Sequence, residues 1–281
     1  MRAAFLLPTK NGARKGLRHG EWLRQSILSA INQLDEPIAI FAVCDACNDD
    51  TADILRSYNG ANDCFVDVYE SDAPLGISAA YNLAAARACV GIGDLSNYWL
   101  FPQPDDDISL AHRVQSTLKF VDRQTEKGIE LGVCCGWYYI IDPDGIIIDE
   151  YAGRETEPRK IRVLVESSHM NSRAADDLGI PAYRADRFFQ VGGFPTDYKY
   201  AGDWAFILAC IRANVLIGCA PTLMYKYRSS GAGNVFNVST TAKSDHKQEF
   251  FRAFDNHRQL QLSAGRMMAP VGGLSGRFII K

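Results

Sequence analysis

Four short apolar runs, Ala3–Leu7, Ile38–Val43, Phe65–Tyr69 and Tyr98–Phe101, are each separated from the next by a stretch of helical character. Glu21–Leu34 carries Trp22, Leu23, Ile27, Ala30, Ile31 and Leu34 at helical spacing. Thr51–Tyr58 follows Asp49 and Asp50, either of which suits an N-cap, and Ile77–Val90 is an Ala-rich helix preceded by Gly76. Strand alternating with helix in this way argues a parallel sheet with helices on both faces. Ligands of such sheets bind beyond the carboxyl ends of the strands.

The pattern changes after Asp107. Ser109–Thr125 reads as a helix, and Leu131–Ile141 and Ile146–Tyr151 as two strands joined by the turn Asp142-Pro143-Asp144-Gly145. Ala152–Pro181 is polar and weakly periodic, a loop with a short helix. Ala205–Ala213 is a helix, followed by strands Val215–Cys219 and Leu223–Arg228. Ser229–Ser239 is rich in Gly, Ser and Asn and reads as a mobile loop, Asp245–Leu262 as a terminal helix, and Gly265–Lys281 as a Gly-rich tail.

The 281 residues suffice for one large α/β domain or two small ones. A formal net charge of -3 gives no electrostatic footprint for nucleic acid. An anionic ligand must therefore be held by local devices, a metal ion or aimed backbone N–H groups. The longest apolar run, Leu131–Ile141, falls far short of the roughly 20 residues that cross a bilayer, and the N-terminus lacks a signal-peptide pattern. A cytoplasmic location is expected, with a peripheral membrane contact through the tail left open. The eight cysteines sit mostly in apolar runs as small hydrophobes. Cys44 and Cys47 have CxxC spacing, but no second pair follows, so neither a redox nor a zinc role is expected.

Asp105-Asp106-Asp107 is the sharpest chemical feature. Three adjacent carboxylates at a strand's carboxyl end repel one another unless solvated or neutralised by a cation. Hard divalent ions such as Mg²⁺ take carboxylate oxygens and keep positions open for phosphates. In an extended segment Asp105 and Asp107 share one face. The alternative is a solvated turn capping the next helix. Asp45 ends the second strand and suits a nucleobase N–H, or else a turn; Asp49, Asp50 and Thr51 are the better caps, which leaves Asp45 free. Asp203 precedes a helix as either an N-cap or a general base, and Trp204 either stacks on a sugar or fills the core. Gly192-Gly193 permits a tight turn or a close approach.

With these residues in hand, the chain resembles a family 2 glycosyltransferase of the GT-A fold from about Ala3 to Ser239. Leu7-Pro8-Thr9-Lys10-Asn11 is similar to the family's opening strand and loop, which contacts the nucleoside. The segment Val43 to Thr51 resembles V-D-D-G-S-x-D-x-T, with Asp45 on the aspartate that contacts the base. Gly76 to Asn82 resembles G-x-S-x-A-R-N near the diphosphate, and Phe101 to Asp107 the strand leading into the metal-binding D-x-D. Phe189 to Phe194 resembles f-x-x-v-G-G-F, after which Asp203 falls on the catalytic base. Tyr227 to Ser230 resembles the Y-R-x-H loop.

The resemblance implies a GT-A-type doubly wound, mostly parallel sheet. Residues 1–107 form the nucleotide-sugar-binding half, 108–240 the acceptor half, and 241–281 a C-terminal helix and tail. It implies a nucleotide-sugar donor (UDP-, GDP- or dTDP-linked), a carbohydrate or glycoconjugate acceptor, and Mn²⁺ or Mg²⁺ on two of Asp105, Asp106 and Asp107, with Asp105 and Asp107 the favoured pair. Pro8, Thr9, Asn11, Asp45, Gly76, Asn82, Asp105, Asp106 and Arg228 fall on the donor side, Gly193 and Trp204 on the acceptor side, and Asp203 on the base of an inverting transfer. The chain departs from the pattern at Cys44 (for Asp), Tyr81 (for Arg), Gln103 (where D-x-D-D would begin) and Ser229 or Ser230 (for His). His246 is a distant substitute for that histidine, and His169 lies in the acceptor-side segment as a structural or exposed residue. Two rival readings are a sugar-1-phosphate nucleotidyltransferase, which would need a basic Gly-rich first loop, and a silent carbohydrate-binding protein that kept the fold.

Overall fold

The computed structural model describes residues 2–13, 19–34, 38–152, 155–158, 160–162, 178–229 and 240–263. β1 (Ala3–Thr9), β2 (Ile38–Asp45), β3 (Phe65–Ser71) and β4 (Trp99–Pro102) pair in parallel in the order β3-β2-β1-β4. α1 (His19–Ile31), α2 (Thr51–Arg56) and α3 (Ile77–Ala88) are the crossovers between them. β1 is buried along its whole length because it is central and covered on both faces. Pro8 lies where the ladder with β4 has already ended, so its missing N–H breaks no rung there.

The second half makes the sheet mixed rather than mostly parallel. β5 (Ile108–Ser109) leads into α4 (Arg113–Thr125), then come the long β6 (Leu131–Ile141) and its hairpin partner β7 (Ile147–Tyr151). β8 (Ala182–Arg184) and α5 (Ala185–Val191) follow, then α6 (Gly202–Arg212), β9 (Leu216–Arg228) and α7 (Thr240–Ser263). β8 bridges β4 and β6 antiparallel to both, whereas β6 and β9 run parallel. The two strands expected over 215–228 are one strand with a bulge at Pro221 and Thr222, since Ala220 faces Gly136 and Leu223 faces Trp137. A proline inside a sheet is accommodated at such a bulge.

One apolar layer lies beneath α1, α2 and α4, with Leu23, Ile27, Phe101 and Leu118 at its centre. The other lies beneath α3, α5, α6 and α7, with Ala84, Phe188, Phe206 and Phe254. Among the described residues no helix is long and apolar enough to cross a membrane. The expected loop 230–239, most of 152–181 with His169, and the tail 265–281 lie outside the described residues, as does the side chain of His246.

Candidate active site

The carboxyl ends of β1 and β2 are stitched together at the sheet's edge. The Asn11 N–H donates to Cys47 Sγ at 3.2 Å, Asn11 Oδ1 accepts the Asn48 N–H at 2.8 Å, and the Ala13 N–H donates to Thr51 Oγ1 at 3.0 Å. Asn11 and Ala46 both take positive φ, 53° and 50°, which lets the two loops fold toward each other. Cys44 and Cys47 share a hydrogen bond that raises the Cys44 thiol and lowers that of Cys47. Asp49 turns onto the Thr51 N–H and hydroxyl, at 3.2 and 2.5 Å, and so orders the start of α2.

Asp45 is not left free. Its two oxygens accept the N–H groups of Leu75, at 2.5 Å, and Gly76, at 3.2 Å. The side chain thus ties the end of β2 to the start of α3, where Gly76 holds φ 84° and ψ 158°, a backbone region open essentially to glycine. Asn82 is likewise committed. Its amide donates to Phe194 O and accepts from Phe194 N, both at 2.8 Å. Gly193 at φ 72° makes room for this, since a Cβ there would sit 2.6 Å from Asn82 Oδ1. The donor-side expectation for Asn82 therefore gives way to a structural role, pinning the 192–194 turn against α3.

The acidic triplet lies one step beyond β4, in a turn closed by the Asp107 N–H on Pro104 O at 3.5 Å. It is not extended, so the shared-face alignment of Asp105 and Asp107 does not hold. Thr9 Oγ1 donates to Asp105 Oδ2 at 2.5 Å. Asp107 is 2% exposed; its Oδ1 accepts the Arg228 N–H at 2.7 Å, and its Oδ2 is buried without a partner. Burial and then the Asp106 charge hold the Asp107 carboxyl well above the ordinary range, and burial and then Asp105 push Asp106 up to about 7. The Tyr81 phenol is raised by burial and then by Asp105, Asp107 and Asp106, so all three carboxylates bear on one space.

Beneath the turn lies a network that sequence reasoning missed. Gln103, fully buried, donates to Asp107 O at 2.9 Å and to Ser26 Oγ at 3.0 Å. Arg113 donates to Ser109 Oγ and Ile180 O, both at 3.0 Å, and its guanidinium lies 5.4–5.8 Å from the rings of Phe5, Phe101 and Tyr225. Burial lowers its pKa to about 10. A signal existed: Arg113 sits on the same helical stripe as Val114, Thr117, Leu118 and Val121, all buried.

Arg228 departs from the expected phosphate contact. It is 1% exposed and donates to Asp106 O at 2.8 Å, Asp142 O at 3.3 Å, Pro143 O at 3.1 Å and Gln25 Oε1 at 2.8 Å, with its guanidinium 5.1 Å from the Trp22 ring. Those bonds occupy most of its donors, so it fastens the acidic turn to the β6–β7 hairpin.

Asp203 is the second residue of α6 and exposed. The helix start abuts α3, since a Cβ on Gly202 would sit 2.5 Å from Ser78 Oγ. The Tyr183 phenol, raised by burial and then by the Asp203 charge, lies within electrostatic range of that carboxylate. Trp204, by contrast, is 9% exposed and packs on Phe250 and Phe254 at 5.5 and 6.2 Å between centroids. It fills the core and is no sugar platform.

A parallel first half, an acidic turn just beyond the carboxyl end of β4 and a mixed second half joined to it through the antiparallel β8 are the architecture of a GT-A glycosyltransferase. The family model for glycosyl transferase family 2 matches residues 5–145, half of the chain. The chain belongs to glycosyltransferase family 2, and it is an inverting enzyme that moves a sugar from a nucleotide-sugar donor to an acceptor. No curated protein matches it. Among solved structures, S. aureus TarS 1-349 in complex with UDP superposes with a TM-score of 0.60 at 20% identity, over 95% of this chain and 76% of that one. The same protein with UDP-GlcNAc gives 0.60 at 17%, over 95% and 77%. TarS without the truncation gives 0.59 at 18%, over 95% and 46%. Family 2 enzymes typically require a divalent metal. Among the described residues no group of three or more His, Cys, Asp or Glu side chains is gathered to hold one.

Proposed function

We propose that the chain takes its sugar from a UDP-linked donor, with Mn²⁺ or Mg²⁺ on Asp105 and Asp107 and with Asp203 as the base. The observation that carries this is the buried, unpartnered Oδ2 of Asp107 at the carboxyl edge of the sheet. A carboxylate oxygen in that position is costly until a cation or proton meets it. Mg²⁺ is commonly held by only one or two carboxylates together with substrate phosphates, so two protein ligands suit it. S. aureus TarS, which shares the fold, has been solved with UDP and with UDP-GlcNAc.

The chain's own residues would act as follows. Thr9 holds Asp105 in place. Pro8, Asn11 and the loop fixed by Asp45 and Gly76 line the nucleoside end. Asp203, exposed at the start of α6, takes the proton from the acceptor hydroxyl as it attacks the anomeric carbon from the face opposite the leaving nucleoside diphosphate, which inverts that centre. When bound, the divalent ion supplies neutralisation of charge on the leaving group. The acceptor is a carbohydrate or glycoconjugate hydroxyl.

The test is calorimetric titration of UDP, GDP and dTDP with and without Mn²⁺, on the wild type and on Asp203→Asn. UDP binding that depends on Mn²⁺, kept in Asp203→Asn while transfer is lost by about 100-fold or more, is the expected result. Preference for another nucleotide overturns the donor assignment. Normal turnover in Asp203→Asn overturns the base assignment.

A further inference from the structure

The C-terminal helix α7 does more than cover an apolar face. Glu249 reaches back across about fifty residues and accepts three successive backbone N–H groups, those of Lys199 at 3.0 Å, Tyr200 at 2.7 Å and Ala201 at 3.2 Å. These are the last residues before α6, and Asp203 follows two positions later. Burial opposes ionisation of Glu249, but the three N–H donors and Arg252 outweigh it and hold its carboxyl below the usual range. One helical turn on, Arg252 donates to Asp197 O at 2.6 Å and lies 4.2 Å from the Tyr198 ring, and Asn256 donates to the Tyr198 hydroxyl at 2.9 Å. A single stripe of α7 therefore grips the whole segment 197–201. A carboxylate accepting consecutive N–H groups fixes their peptide planes, and so the direction in which the following helix leaves.

We infer that Glu249 is a positioning residue for the transfer, acting through the 199–201 segment to set where Asp203 presents its carboxylate to the acceptor hydroxyl. The inference rests on the reading of Asp203 as the base. Glu249 touches neither substrate, and its effect is on geometry. Misplacement of a reacting group by about 1 Å costs on the order of 100-fold in rate, whereas donor binding, which the proposal gives to other residues, is untouched.

The test compares Glu249→Ala, Glu249→Gln and Asp203→Asn in the full chain, measuring kcat, donor KM and thermal unfolding. Glu249→Ala is expected to lower kcat about 10- to 100-fold with donor KM unchanged, assayed well below its unfolding temperature. Glu249→Gln, whose amide oxygen still accepts N–H groups, is expected to recover most of that loss. A merely structural role predicts a lower unfolding temperature for Glu249→Ala with kcat intact, and that result overturns the inference. Should Glu249→Ala not fold, Glu249→Asp serves instead: it keeps the charge and withdraws the carboxylate by one methylene, and an unchanged kcat in it overturns the inference equally. Normal turnover in Asp203→Asn removes the premise, while an inactive Asp203→Asn beside a fully active Glu249→Ala refutes the positioning role alone.

Discussion

The Arg228 N–H donates to Asp107 Oδ1 at 2.7 Å across 121 residues of sequence, and the Arg228 guanidinium continues onto Asp106 O and the carbonyls of Asp142 and Pro143. The acidic turn after β4 and the end of β9 are thereby one unit. Arg228→Lys keeps the charge and loses the fork that holds Asp106 O and Gln25 Oε1, while Asp142 O and Pro143 O keep the Gly145 and Trp22 N–H groups. It is expected to destabilise the fold by about 2–4 kcal/mol, read by denaturant unfolding. Nucleotide affinity measured on the folded fraction should fall little; a large loss of UDP affinity with stability unchanged would restore Arg228 as a phosphate ligand.

Asp107→Asn separates the metal reading from a structural one. The substitution keeps an oxygen for the Arg228 N–H and removes a buried acid whose ionisation burial and Asp106 already oppose. Without ligand, the variant should unfold at the same temperature as the wild type or higher, because an unpaired buried carboxylate opposes folding. The gain in unfolding temperature that Mn²⁺ and UDP together give the wild type should vanish in the variant. An undiminished gain would place the ion elsewhere.

The parts of this enzyme that the sequence discloses are those written locally. β1 and β2 read as strands because both faces are covered; Asp45 announces itself as the last residue of β2, and Asp105 to Asp107 by coming shortly after β4. β8 escaped notice because Ala182–Arg184 is too short to carry a period. The partners of Asp45, Asn82 and Arg228 were equally hidden, since each is chosen by a contact between distant segments: Asp45 with Leu75, Asn82 with Phe194, Arg228 with the hairpin after β6. A residue type at a motif position tells which chemistry is available. Only the fold decides whether its polar atoms are already spent.

Trp204 illustrates the same limit and gives a further prediction. Its indole lies against Phe250 and Phe254, so truncation opens a cavity between α6 and α7. Trp204→Ala is expected to cost about 3–5 kcal/mol, and Trp204→Phe much less. Acceptor KM in Trp204→Phe should match the wild type; a selective rise would mean that the indole meets the sugar after all.

The packing of α7 should also depend on pH through His257. The imidazole is 3% exposed, its Nδ1 lies 3.2 Å from Arg212 Nη1, and burial followed by the Arg212 charge lowers its pKa from 6.5 to about 4. The unfolded chain therefore binds the proton more readily between pH 6.5 and 4, so stability falls as the pH drops through that window and changes no further from this group below it. The shift corresponds to at most about 3 kcal/mol. Because carboxylates titrate in the same range, the informative measurement is a difference: wild type and His257→Gln unfolded by denaturant at intervals from pH 7 to pH 4. The wild-type curve should fall more steeply below pH 6.5. Parallel curves would mean that His257 titrates alike in the folded and unfolded chain, and that neither burial nor the Arg212 charge bears on it.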